Sequence, residues 1–121
     1  MKLFVILGAI NALIAVACGA FGAHALEGQL SAHYLEIWET AVRYQFYHAL
    51  GLIAIGILIQ VTGAPFLAAA GWLMLIGIIF FTGSLMVLAF TGISILGAIT
   101  PIGGVMFIVS WLLVIIGIAK V

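Results

Sequence analysis

Leu67 to Phe90 runs for 24 residues without a charged side chain, and this stretch constrains the fold more than any other. About 20 apolar residues are what an α-helix needs to cross the hydrocarbon of a bilayer. Three other stretches share the character. Leu3–Ala23 is interrupted only by Asn11, and Pro101–Ala119 ends just before Lys120. The fourth is wholly apolar only over Ala49–Ile59 and reaches a full span by taking in Tyr44–His48. Only 5% of the 121 residues are charged, against about a quarter in a soluble domain. Lipid must therefore be the main solvent. The net charge is zero and there is no basic run, which argues against nucleic acid as a partner. Cys18 is alone, so no intrachain disulfide forms. The expected fold is all-α: an integral membrane four-helix bundle, one transmembrane domain over 1–121 with spans near 3–23, 42–61, 67–90 and 101–119.

Lys2 and the apolar run after it have the outline of a secretory signal, but we read the segment as a retained first span. Its small residues Gly8, Ala12, Ala15, Gly19 and Gly22 fall on one helical stripe, which lets a second backbone approach closely. Asn11 borders that stripe, and an amide in hydrocarbon faces protein. Beyond it, Leu26, Leu30, Tyr34, Ile37 and Trp38 recur at helical spacing among Glu27, Gln29, Ser31 and Glu36. The pattern predicts a short interfacial amphipathic helix over Glu27–Trp38 leading into the second span. In the third span Ala70, Gly77, Ser84 and Thr91 repeat every seven residues as a packing seam. Thr91–Thr100 reads as a loop. Thr100-Pro101 then reads as a helix start, with proline where no amide donor is missed and Gly103 as a packing position beyond it.

Chemistry concentrates in Glu36–Gly51, E-I-W-E-T-A-V-R-Y-Q-F-Y-H-A-L-G, which holds two of the three acids and the one arginine. Glu39 and Arg43 are an i, i+4 pair in the favourable order. If the first two spans pair antiparallel, His24 and His48 are expected at similar depth. With Glu36, Glu39, Arg43, Tyr44 and Tyr47 they make a candidate polar cluster at one end of the bundle. Two histidines with carboxylates suit a transition metal or haem, but no ligand-spacing motif is present. The alternative is a hydrogen-bonded network that closes the bundle. A lipid or small-molecule pocket lined by Tyr44, Tyr47 and Trp72 is a further reading, as is a minimal channel or carrier gated by Glu36, Arg43, Tyr47 and His48. No nucleophile–base pair or phosphate-cradling loop is present, so the chain is expected not to be an enzyme and to need no cofactor.

Four segments also carry a family resemblance: G-A-F-G-A-H-A-L from Gly19, T-A-V-R-Y-Q-F-Y-H-A-L from Thr40, F-T-G-S-L from Phe81 and T-P-I-G-G from Thr100. They resemble the small bacterial membrane proteins of the family of unknown function numbered four-two-three, the YgdD- and YwdK-like proteins, which are related to a small vertebrate transmembrane protein. The resemblance covers essentially the whole chain and implies four helical spans, but no activity. The functional expectation is a structural or accessory subunit in the bilayer, as a homo-oligomer or within a larger membrane complex. Lys2 and Lys120 lie at one end of a chain with an even number of spans. The positive-inside rule therefore places both termini in the cytoplasm of a cell inner membrane.

Overall fold

The structure is a computed structural model that describes residues 2–121. Helix α1, Lys2–Phe21, continues into a π turn at Gly22–Leu26, and α2 is Ala32–Thr62. The third span is α3 (Leu67–Ile78), a second π turn (Ile79–Gly83) and α4 (Ser84–Thr91); the fourth is α5, Leu96–Ala119. All four units are long and apolar enough to cross a membrane, and no strand occurs among the described residues. The chain ends its helices by local chemistry. The Ser31 hydroxyl accepts from the Tyr34 amide at the start of α2. Gly63 and Gly92 adopt left-handed backbone, and their amides reach back to the Ile59 and Leu88 carbonyls.

Two boundaries differ from expectation. The amphipathic segment is not a separate interfacial helix: Glu27–Leu30 turns the chain around Gly28, and Ala32–Trp38 forms the first turns of α2. No proline or glycine lies between Ala32 and Leu50, so the hydrogen-bond ladder has no reason to stop where the surface polarity changes. Periodicity reports which face is wet, not where a helix ends. Likewise α5 begins at Leu96, not at Pro101. Its first turn is held by tight bonds from the Leu96, Gly97 and Ala98 amides to the Ile93, Ser94 and Ile95 carbonyls. Pro101 sits inside the helix, and the carbonyl it cannot bond is that of Gly97, near the exposed loop end. Thr100 is no cap: its hydroxyl meets Ser84 Oγ at 2.6 Å and ties α5 to α4.

The glycines position the spans. Along α1, Gly8 lies against the Ala49 carbonyl and Ile53, Gly19 faces Val42, and Gly22 lies under the Trp38 ring. Trp38 Nε1 donates to the Cys18 carbonyl at 3.0 Å across the same seam. Between α3 and α5, Gly77 takes the Phe107 ring and Gly103 lies against the Phe81 backbone. Ser110 Oγ donates to the Ala70 carbonyl at 2.6 Å. Ala70, Gly77 and Ser84 of the seven-residue repeat are buried, whereas Thr91 is exposed. The main core gathers Phe4, Leu52, Ile55, Met74 and Phe107, and a smaller one surrounds Trp38, Leu26 and Ala89. The second and third spans form the centre; α1 lies along α2, and α5 along the third span.

Candidate functional site

α2 carries its chemistry on two sides that diverge. At 100° per residue, Glu36, Arg43 and Tyr47 project along one line, and His48 lies a third of a turn around from it. The first three are exposed, and His48 is buried. They enclose no common lumen, which removes the geometry of the proposed gate.

His48 is the centre of the better-built arrangement. Its Nδ1 lies 2.7 Å from the Tyr44 carbonyl, and its Nε2 lies 3.1 Å from Trp111 Nε1 of α5. A carbonyl only accepts and an indole N–H only donates, so Nδ1 carries the proton and Nε2 is bare. The ring is the neutral tautomer with both nitrogens engaged. It stacks on Phe107 at 3.5 Å with an 8° interplanar angle. Tyr44 packs on Phe81 at 4.6 Å, and Phe81 on Phe107 at 5.4 Å. The π turn that contains Phe81 widens the third span here, and its Thr82 hydroxyl donates to the Ala41 carbonyl of α2 at 3.2 Å. Between α2 and α5 this leaves a cleft of about 460 Å³, with Tyr44 and His48 on one wall, Gly104 and Trp111 on the other, and Phe81 and Phe107 beneath. His48 is nine residues from Glu39 and twelve from Gln60, about 14 and 18 Å along the axis. The cleft therefore opens near mid-membrane.

The expected end-cluster is not one site. Gly22 packs on Trp38 and Gly8 on Ala49, so His24 lies alongside the start of α2 and His48 alongside the inner half of α1. The two histidines are separated by about three turns, on the order of 18 Å. No group of three or more metal-ligating side chains occurs among the described residues, and both His48 nitrogens are already bonded. Arg43 donates to Thr40 Oγ1 at 3.3 Å and forms no ion pair with Glu36 or Glu39 among the described residues. Trp72 packs edge-on against Phe4 at 5.3 Å, toward the termini, and shares no pocket with Tyr44 and Tyr47.

Asn11 does face protein. Its amide donates to the Leu7 carbonyl at 2.9 Å, and its Oδ1 accepts from Gln45 Nε2 at 3.2 Å. Gln45, only 5% exposed, is a site residue that the sequence reading passed over. The signal was present: Ala41 and Ala49 flank it at one-turn spacing on α2, so the argument used for Asn11 applies to it equally. Its Oε1 is buried with no partner. A single Asn11→Leu strips the remaining partner from Gln45 and should cost about 2 kcal/mol. The double change Asn11→Leu with Gln45→Leu should cost less than the single one, because it leaves no buried amide behind. Unfolding of the parent and the two variants in mild detergent checks the order.

A family profile matches residues 18–104, described as "Protein of unknown function (DUF423)". The chain belongs to this family. Curated relatives agree along its whole length. The UPF0382 membrane protein SSP2132 of Staphylococcus saprophyticus is 59% identical over 121 residues, covering 100% of both chains. The UPF0382 membrane protein YwdK of Bacillus subtilis is 54% identical, covering 99% of this chain and 98% of its own. The UPF0382 membrane protein SERP0230 of Staphylococcus epidermidis is 58% identical with the same coverage. No solved structure matches. This DUF423 protein is thus an integral membrane protein with four apolar helices, in a family of unknown function. The matched segment carries Gly19, Gly22, His24, Tyr44, Tyr47, His48, Gly83, Ser84 and Gly103. The DUF423 match ends before Phe107 and Trp111, the two residues that complete the His48 arrangement.

Proposed function

We propose that this chain is a structural or accessory subunit of the cell inner membrane, not an enzyme and not a conduit, and that it works as a homo-oligomer or within a larger membrane complex. The observation that carries the reading is what the interior polar groups bond to. Asn11 with Gln45, His48 with Trp111, Ser84 with Thr100, Thr82 with Ala41 and Ser110 with Ala70 each tie one helix to another. A conduit needs such groups lining a path, and a catalyst needs one poised on a substrate. The glycine seams are occupied within the chain, so contact with a neighbour falls to the branched aliphatic faces of the flanking helices, such as Ile6 and Leu13 on α1 and Ile108 and Ile115 on α5. Gentle purification from native membranes, followed by native mass spectrometry, tests this. A stoichiometric oligomer or partner subunit is the expected result; monomer alone in the purified fraction refutes it. On this reading the termini lie in the cytoplasm, with Lys2 and Lys120 at that end and Glu27 at the other. A reporter active only outside the cytoplasm, fused after Val121, should stay silent.

A further inference from the structure

Arg43 is the one arginine of the chain and faces outward from α2. Its guanidinium donates to Thr40 Oγ1 and forms no ion pair among the described residues, although Glu39 is one turn nearer the membrane surface. The Arg43 backbone lies about 8 Å outward of His48, and the bond to Thr40 draws its guanidinium further toward the edge of the hydrocarbon, where it keeps its charge and calls for an anion. Beside it, α1 and α2 leave a groove made of two depressions that share Val42 and Arg43. The outer one, about 180 Å³, is bounded by Gly19, Trp38 and Glu39. The inner one, about 270 Å³, is bounded by Ala15, Val16, Phe46 and Tyr47. The groove is open because α1 offers small side chains there: a Cβ on Gly19 would meet only Val42, at 3.3 Å. From the surface inward the groove presents a carboxylate, a guanidinium and an apolar trough. Glu39 and Arg43 are four residues apart on α2, about 6 Å along the helix axis.

That order is the complement of a phospholipid read from its headgroup inward: amine, phosphodiester, acyl chain. We propose that the α1–α2 groove is a binding site for one phospholipid whose headgroup ends in a primary amine. Arg43 takes the phosphodiester through charge-assisted hydrogen bonds, and Glu39 takes the ammonium. The first acyl chain lies in the trough beside Ala15 and Phe46. An acidic lipid without an amine leaves Glu39 facing unneutralised negative charge, and a quaternary amine has no N–H to donate to it.

The test is delipidated protein in mild detergent, titrated with phosphatidylethanolamine, phosphatidylcholine or phosphatidylglycerol of matched chains and followed by native mass spectrometry. Phosphatidylethanolamine should be retained most strongly. Arg43→Gln should weaken its retention by about ten-fold or more, and Arg43→Lys should restore part of it. Glu39→Gln should keep phosphate binding but abolish the preference for the amine. Gly19→Leu fills the outer depression and should displace the lipid with both charges intact. Equal retention of the three lipids by the unaltered protein overturns the proposal, as does undiminished binding by Arg43→Gln or Gly19→Leu. Because Arg43 and Glu39 are exposed, their variants should unfold at the same temperature as the parent when lipid is absent.

Discussion

His48→Ala should lower stability by about 3 kcal/mol, a loss that exceeds what its one interhelical hydrogen bond supplies. The ring lies flat on Phe107 and accepts from Trp111, so alanine leaves both a void beside Phe107 and an indole N–H with no acceptor in hydrocarbon. Side-chain hydrogen bonds between membrane helices contribute only about 0.6–2 kcal/mol each. Trp111→Phe, which removes the bond and keeps an aromatic ring, should therefore cost about 1 kcal/mol. A double-mutant cycle of His48→Phe and Trp111→Phe separates the terms, and its coupling should be about 1 kcal/mol. Reversible unfolding in mixed micelles is the measurement. Equal losses for His48→Ala and Trp111→Phe would show that the stacked ring adds nothing beyond its hydrogen bond.

Gly103→Val should be as damaging, at about 3 kcal/mol, by the opposite mechanism. A Cβ at Gly103 would lie 2.5 Å from the Phe81 amide nitrogen and 2.9 Å from the Gly77 carbonyl oxygen. Both are backbone atoms and cannot swing aside, so α5 must move off the third span and loosen the Phe107 ring with it. Gly83 is the control. It lies two residues beyond Phe81 on the same span, but a Cβ there meets nothing within 4 Å. Gly83→Ala should leave the unfolding midpoint unchanged within error. A matching loss at Gly83 would trace the effect to helix flexibility instead of interhelical distance.

The spans were legible because hydrocarbon imposes a length and forbids charge. Gly8, Gly19 and Gly22 were legible for a related reason: close approach needs small side chains at helical spacing, and that spacing is local. The His48 arrangement was not. Its partners Phe107 and Trp111 lie 59 and 63 residues further on, and no local period links them to α2. His24 and His48 were brought to one depth by supposing that α2 starts where the apolar run starts. Ten residues of polar helix before that point move His48 about three turns deeper. Pro101 misled for a comparable reason: a proline one turn into a helix loses a bond to a carbonyl near the exposed end, and that is tolerable.

The π turn at Ile79–Gly83 makes the third span two rods out of phase. One residue more than an α-helical turn is accommodated there, so the outer rod is set back by about 100°. The inner rod is indexed to α5 through Gly77, and the outer through Ser84 and Thr100. Deleting a single residue between those two marks would let the turn close to an ordinary α-helical one and leave both rods facing α5 as before, whereas inserting one would turn every side chain on one side of it by more than a quarter revolution. This segment thus sets a reading frame in space: it carries one residue in reserve, which the chain can lose but not gain without turning one rod away from its partner.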